Sequence, residues 1–76
     1  MITAAQCRAA RGLLAWTQHD LAARAGVGIV TVHQFEAGVS QPRRSTGEVI
    51  KRAFEEAGVV FIDADGGGPG VRLREA

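Results

Sequence analysis

The stretch from Thr17 to Gly38, TQHDLAARAGVGIVTVHQFEAG, constrains the chain most, because its punctuation leaves room only for two short helices and a tight turn. Thr17 has the hydroxyl of an N-cap, and Leu21, Ala22 and Ala25 recur at helical spacing after it until Gly26 stops the run. Gly26 supplies the positive φ that such a turn requires. Val27 points back to the interior, Gly28 opens the second helix as a weak cap, and Val32 and Phe35 form that helix's buried face before Gly38 ends it.

A chain of 76 residues makes one domain whose core is marginal unless helices pack tightly or a second copy contributes, so oligomerisation is expected. A single cysteine allows no intrachain disulfide, and the N-terminus lacks the charged, apolar and cleavable order of a signal peptide. The expected location is cytoplasmic. No apolar run approaches the roughly 20 residues of a membrane span, which argues against a membrane partner. The net charge of +1 hides an uneven distribution: residues 1–44 carry +3, and residues 45–76 carry −2. The positive half contains the two short helices.

Thr3 and Gln6 have capping-box spacing, with Ile2 placed to staple onto Cys7, and they predict a first helix from Ala4 to Leu14. Its apolar face reads Cys7, Ala10, Arg11 and Leu14, so an arginine points inward. Glu36 lies one turn after Val32 and also points inward, the complementary anomaly. The alternative is that Arg11 snorkels to water and Glu36 merely ends its helix. Trp16 reads as a packing residue at the corner of the first two helices. Residues 37–44 read as a surface loop carrying Arg43 and Arg44. Ser45 and Glu48 form a second capping-box pattern ahead of a stripe of Val49, Ile50, Ala53, Phe54 and Ala57, and Gly58 closes that helix. The period then changes. Val59–Asp63 and the alternating Val71–Arg74 read as two strands about a glycine-rich turn, a hairpin that needs cover on both faces.

The register of Trp16-Thr17-Gln18, Leu21-Ala22, Ala25-Gly26-Val27, Thr31-Val32, Phe35-Glu36 and Gly38 resembles the Cro and phage-repressor type of helix-turn-helix, the Xre-like family, over about residues 3–57. The resemblance implies a mainly α, compact four-helix domain of lambda-repressor-like fold that regulates transcription by binding double-stranded DNA. It also implies an ion pair between Arg11 and Glu36, backbone contacts from the arginine loop, and a phosphate contact from Gln18 at the start of the second helix. The C-terminal two-stranded β-hairpin departs from the minimal family domain, which has a fifth helix there. This ending is similar to that of a group of small bacterial regulators of the same type. The layout is therefore a DNA-binding domain over residues 1–58 and a hairpin tail over residues 59–76, read as the dimerisation element.

With Val32 inward, 100° per residue places Val30, Thr31, His33, Gln34 and Ala37 on the outer face of the recognition helix, about residues 28–37. The expected DNA-binding set is Thr17, Gln18, Gly28, Ile29, Val30, Thr31, His33, Gln34, Arg43 and Arg44. The expected dimerisation set is Val59, Val60, Phe61, Ile62, Val71 and Leu73. His19, His33 and Cys7 lack metal-ligand spacing, so no metal and no cofactor is expected. The Gly66–Gly68 run lacks the lysine and following helix of a phosphate loop, and no catalytic set is apparent, so the chain reads as a non-enzyme. The favoured function is a sequence-specific DNA-binding transcriptional regulator acting as a homodimer on an inverted repeat. The rival is a protein-interaction module, antiactivator or antitoxin-like, that binds a protein partner through Val30 and the hairpin.

Overall fold

The computed structural model describes residues 1–39, 42–63 and 66–74. Four helices come first: α1 (Ala4–Leu14), α2 (Gln18–Ala25), α3 (Ile29–Glu36) and α4 (Arg44–Glu56). Two antiparallel strands follow, β1 (Val59–Ile62) and β2 (Gly70–Leu73), in the register Val59 to Leu73 and Ile62 to Gly70. The mainly α fold with a C-terminal hairpin is the architecture expected from the sequence. Positions 40 and 41 of the arginine loop, and 64 and 65 of the hairpin turn, lie outside the described residues.

Local chemistry sets the starts of the first two helices and the ends of α2 and α3, whereas α1 ends on Ala15 in the left-handed region. Thr3 and Gln6 form a complete capping box at α1, and Thr17 and Asp20 form another at α2. Gly26, at φ 70°, ends α2, and the Val27 amide reaches back to the Ala22 carbonyl. Gly28 caps α3 with its backbone alone. Beyond Ala37, Gly38 takes a left-handed conformation that lets the Val39 and Gly38 amides close on the Gln34 and Phe35 carbonyls.

The start of α4 corrects the sequence reading. Ser45 does not cap it; the helix begins two residues earlier, at Arg44, with Arg43 at the N-cap and no side-chain cap bond. Glu48, the supposed reciprocal member of the box, instead meets Arg44 one turn away at 3.2 Å, a fully solvated pair of small energetic weight. The α4 stripe is also narrower than expected. Ile50 and Phe54 are buried and Ala53 packs beside them, but Val49 is exposed. Gly47 takes part in the helix's inward face, where the Met1 side chain lies against it.

The core gathers Ile2, Cys7, Ala10, Leu21, Ala22, Val32, Phe35, Ile50, Phe54 and Val59. Trp16 stacks on Phe54 at 5.5 Å between ring centroids, and Phe61 meets Phe54 edge-on at 6.0 Å. The hairpin thus lies across α1 and α4 of its own chain, with Val59 fully inside and Phe61 and Val71 packed on the core. Of the side chains assigned to dimerisation, these three are engaged within the chain, whereas Ile62 and Leu73 are exposed.

Gln6 fastens the hairpin. Its side-chain oxygen accepts the Thr3 amide at 2.9 Å, and its nitrogen donates to the carbonyls of Ile62 at 3.2 Å and Gly70 at 3.0 Å. One buried amide therefore caps α1 and clamps both strands. Replacing it by alanine should cost about 1–3 kcal/mol, because the Thr3 amide and both strand carbonyls lose a partner. Urea melts test this, and a loss of under a few tenths of a kcal/mol would show that the clamp carries no stability.

Candidate nucleic-acid interface

The second and third helices owe their mutual geometry to one buried carboxylate. Glu36 is only 4% exposed at the C-terminal end of α3, and its two oxygens receive four donors. Arg11 of α1 grips it in two places, Nε to Oε2 and Nη2 to Oε1, each at 2.7 Å. Gln18, the first residue of α2, donates to Oε1 at 3.0 Å, and the Cys7 thiol donates to Oε2 at 3.1 Å. Four donors on four lone-pair positions meet the requirement for burying a charge. Arg8 adds a bond to the Glu36 backbone carbonyl, and Arg11 a further one to the Trp16 carbonyl at 3.1 Å.

Burial alone pushes the Glu36 carboxyl up, but the bonds from Arg11, Gln18 and Cys7, with the Arg11 charge, hold it below the ordinary carboxylate range. The Cys7 thiol moves the other way. Burial first, then donation to Glu36 and that carboxylate's charge, raise it far above a free thiol. It is a protonated donor, not a nucleophile.

The inward pull of Val32, Phe35 and Glu36 turns Val30, His33 and Gln34 to solvent, the register expected from the sequence. Thr31 and Ile29 are half-buried, and Ile29 packs against the core edge. Thr17 and Gly28 are exposed at the N-terminal ends of α2 and α3. The Thr17 hydroxyl accepts the Asp20 amide at 3.0 Å, which leaves its own proton free to donate outward. The Asp20 carboxyl is lowered mainly by the return bond from the Thr17 amide. The Gln18 side chain is engaged with Glu36 rather than turned outward, so its remaining outward group is the backbone N–H at the helix start. Arg43 and Arg44 are exposed at the start of α4.

Three members of this network escape a reading of spacing alone: Gln18 as a donor to Glu36, Cys7 as a donor rather than mere filler, and Arg8. Cys7 stands one turn before Arg11 on the same face, and that i, i+4 relation was the available signal. Outside this network the sequence reading also missed Arg24, whose guanidinium sits 5.0 Å over the Trp16 ring.

Truncating Arg11 or Glu36 singly to alanine should cost about 3–5 kcal/mol in urea melts, because the surviving charge is stranded in the interior. Replacing both by apolar residues should cost less than either single change, and two single variants as stable as the parent would refute the pairing. The folded carboxyl lies below its ordinary value of about 4.3, so its stabilisation is complete above that value and is lost as pH falls through the lower folded one. Melts from pH 7 to pH 3 should show a flatter acid limb for Glu36→Gln than for the parent; parallel profiles would assign the acid sensitivity to other carboxylates.

The sequence matches a family model described as Helix-turn-helix over residues 8–56, from within α1 to the last residue of α4. No curated protein matches the chain. Among the described residues no helix is long and apolar enough to cross a membrane. With well over half of its length matched, and with α2, the Gly26 turn and α3 in the order the motif requires, the chain belongs to the DNA-binding helix-turn-helix family of Cro/C1, Xre-like type.

Proposed function

We propose that this protein is a sequence-specific DNA-binding transcriptional regulator, not an enzyme, that seats α3 in the major groove and acts in the cytoplasm as a two-fold dimer on an inverted repeat. The observation that carries the reading is the division of α3 into an inner face locked by Val32, Phe35 and Glu36 and an outer face offering Val30, His33 and Gln34. Gln34 has the paired donor and acceptor that suit adenine, His33 suits a guanine acceptor or a phosphate, and Val30 and Thr31 suit a thymine methyl.

The opening of α4 supports a phosphate-facing role for the loop before it. A helix N-terminus carries partial positive charge, and stability favours acidic residues there. Here the first turn has no acid and begins with Arg43 and Arg44, an arrangement that disfavours the isolated helix and suits an anion outside it. Thr17 and the Gln18 amide make a second backbone-facing group at the start of α2.

A second reading, a module that binds a protein partner, is favoured by exposed apolar side chains at either end of α3: Val30 is 62% exposed and Val39 73%. A salt titration separates the two readings. Binding through Z phosphates falls with a log–log slope near −0.9Z, whereas an apolar interface barely responds.

Arg43→Ala should weaken binding to all DNA sequences alike and reduce the salt slope by about one unit if one phosphate contact is lost. Gln34→Ala should cost roughly 1–3 kcal/mol on the preferred site, selected from a random pool, and little on unrelated DNA. Equal losses on both DNAs would remove Gln34 from base readout, and no binding by the intact chain at low salt would favour the protein-partner reading.

A further inference from the structure

We propose that the groove between α1 and β2 takes an extended acidic segment of a partner protein, added antiparallel to the β2 edge with a carboxylate facing Arg72 and apolar side chains on either side of it. The hairpin register decides which backbone groups are free for this. The Arg74 amide donates to the Gly58 carbonyl at 2.8 Å, which continues the pairing of Val60 with Arg72 and Ile62 with Gly70. In an antiparallel ladder such hydrogen-bonded pairs alternate with pairs whose N–H and C=O groups point away from the neighbouring strand. On β2 the outward groups are therefore those of Val71 and Leu73. Among the described residues neither has a hydrogen-bond partner beyond the ladder. Val71 is half-buried and Leu73 is exposed, so this edge is open to an incoming chain. The β1 edge is not, since Val59 is only 2% exposed.

The edge has a wall beside it. β2 packs along α1, and Ala5, Gln6 and Ala9 face Pro69, Gly70 and Val71 across a groove of about 200 Å³, against roughly 30 Å³ for one water. The Gln6 clamp holds the two walls together before anything binds, so little ordering is asked of the site. Side chains of an added strand that stand opposite Val71 and Leu73 point to the helix side. There the alanines leave room, and Leu13, exposed one turn beyond Ala9, extends the apolar wall. The side chain between them, opposite Arg72, points to the outer face at the close spacing of a non-hydrogen-bonded pair. The Arg72 guanidinium makes no ion pair or hydrogen bond among the described residues. Neither wall carries a carboxylate: residues 1–14 and 69–74 contain Arg8, Arg11, Arg72 and Arg74 and no acid. A second copy of β2 centred here would set arginine against arginine, whereas a carboxylate is the favourable cross-strand partner. Main-chain bonds along the edge, with alternate side chains seated in the groove, are the general means by which a sheet edge takes a peptide. Val30, His33, Gln34, Arg43 and Arg44 line no part of the groove, so α3 keeps its outer face for the role proposed above.

Nuclear magnetic resonance of the full, isotope-labelled chain tests the site with two capped pentapeptides. One has the order threonine, valine, glutamate, valine, threonine, and the other has lysine in place of glutamate. At millimolar concentration the glutamate peptide should shift the Val71 and Leu73 amide resonances and slow their hydrogen exchange. The lysine peptide should bind roughly three- to tenfold more weakly. Arg72→Glu, a change at an exposed position that leaves the core untouched, should reverse the preference. Ala9→Gln, which fills the groove from an exposed position on α1, should weaken the glutamate peptide while keeping the parent's helical circular dichroism. Equal binding of the two peptides, an Arg72→Glu variant that still prefers glutamate, shifts confined to other elements, or no shift at millimolar peptide would each overturn the assignment. So would slow exchange of both amides in the peptide-free chain, which would give the edge to a second copy. None of these results bears on DNA binding by α3.

Discussion

The interior position of the Glu36 carboxylate is the constraint on which the rest of the arrangement depends. A buried charge is costly until its lone pairs are filled, and the donors that fill them come from Cys7 and Arg11 of α1 and Gln18 of α2. Three helices must therefore be in place together for the carboxylate to be tolerated, and the angle between α2 and α3 is fixed by hydrogen-bond geometry rather than by apolar packing alone. Apolar contacts are forgiving of small rotations; a two-pronged guanidinium grip is not. A surface that reads base edges needs that lack of freedom, because a helix rolled by a few tens of degrees offers different side chains to the groove.

The hairpin belongs to the same economy of a small chain. Helices this short leave the Phe54 side of the core open, and Phe61 and Val59 close it from the C-terminal tail. Gln6 holds the closing element through its carbonyls, which specify position without depending on side-chain identity in the strands. The inner face of the hairpin is thus committed to folding, while Ile62 and Leu73 stay exposed.

Much of this was legible in the sequence, and the reasons differ from element to element. The starts of α1 and α2 follow from capping boxes that act within four residues, the end of α2 follows from Gly26, and the facing of α3 follows from Val32 and Phe35. The ion pair was visible as two misplaced charges, one on each helix. The start of α4 was misread because Ser45 and Glu48 have the right spacing, but it is Arg43 that takes the non-helical backbone of the cap, with no side chain bonding the first turn. Gln6 could be seen as a capping residue but not as a clamp, since its second role depends on Ile62 and Gly70, more than fifty residues away. For the same reason the hairpin's inner face could not be assigned from its alternation, which says that one face is buried but not against what.

The Cys7 thiol gives the network one more property. Its proton lies on the bond to Glu36 and its sulfur is sealed beneath α1, so the thiolate that alkylating and oxidising reagents require is absent while the helices stay together. Once α1 lifts from α3 the carboxylate and the thiol part, and the sulfur becomes an ordinary reactive one. The chain therefore carries a built-in clock: the rate at which a small thiol reagent labels it counts the openings of the helix junction.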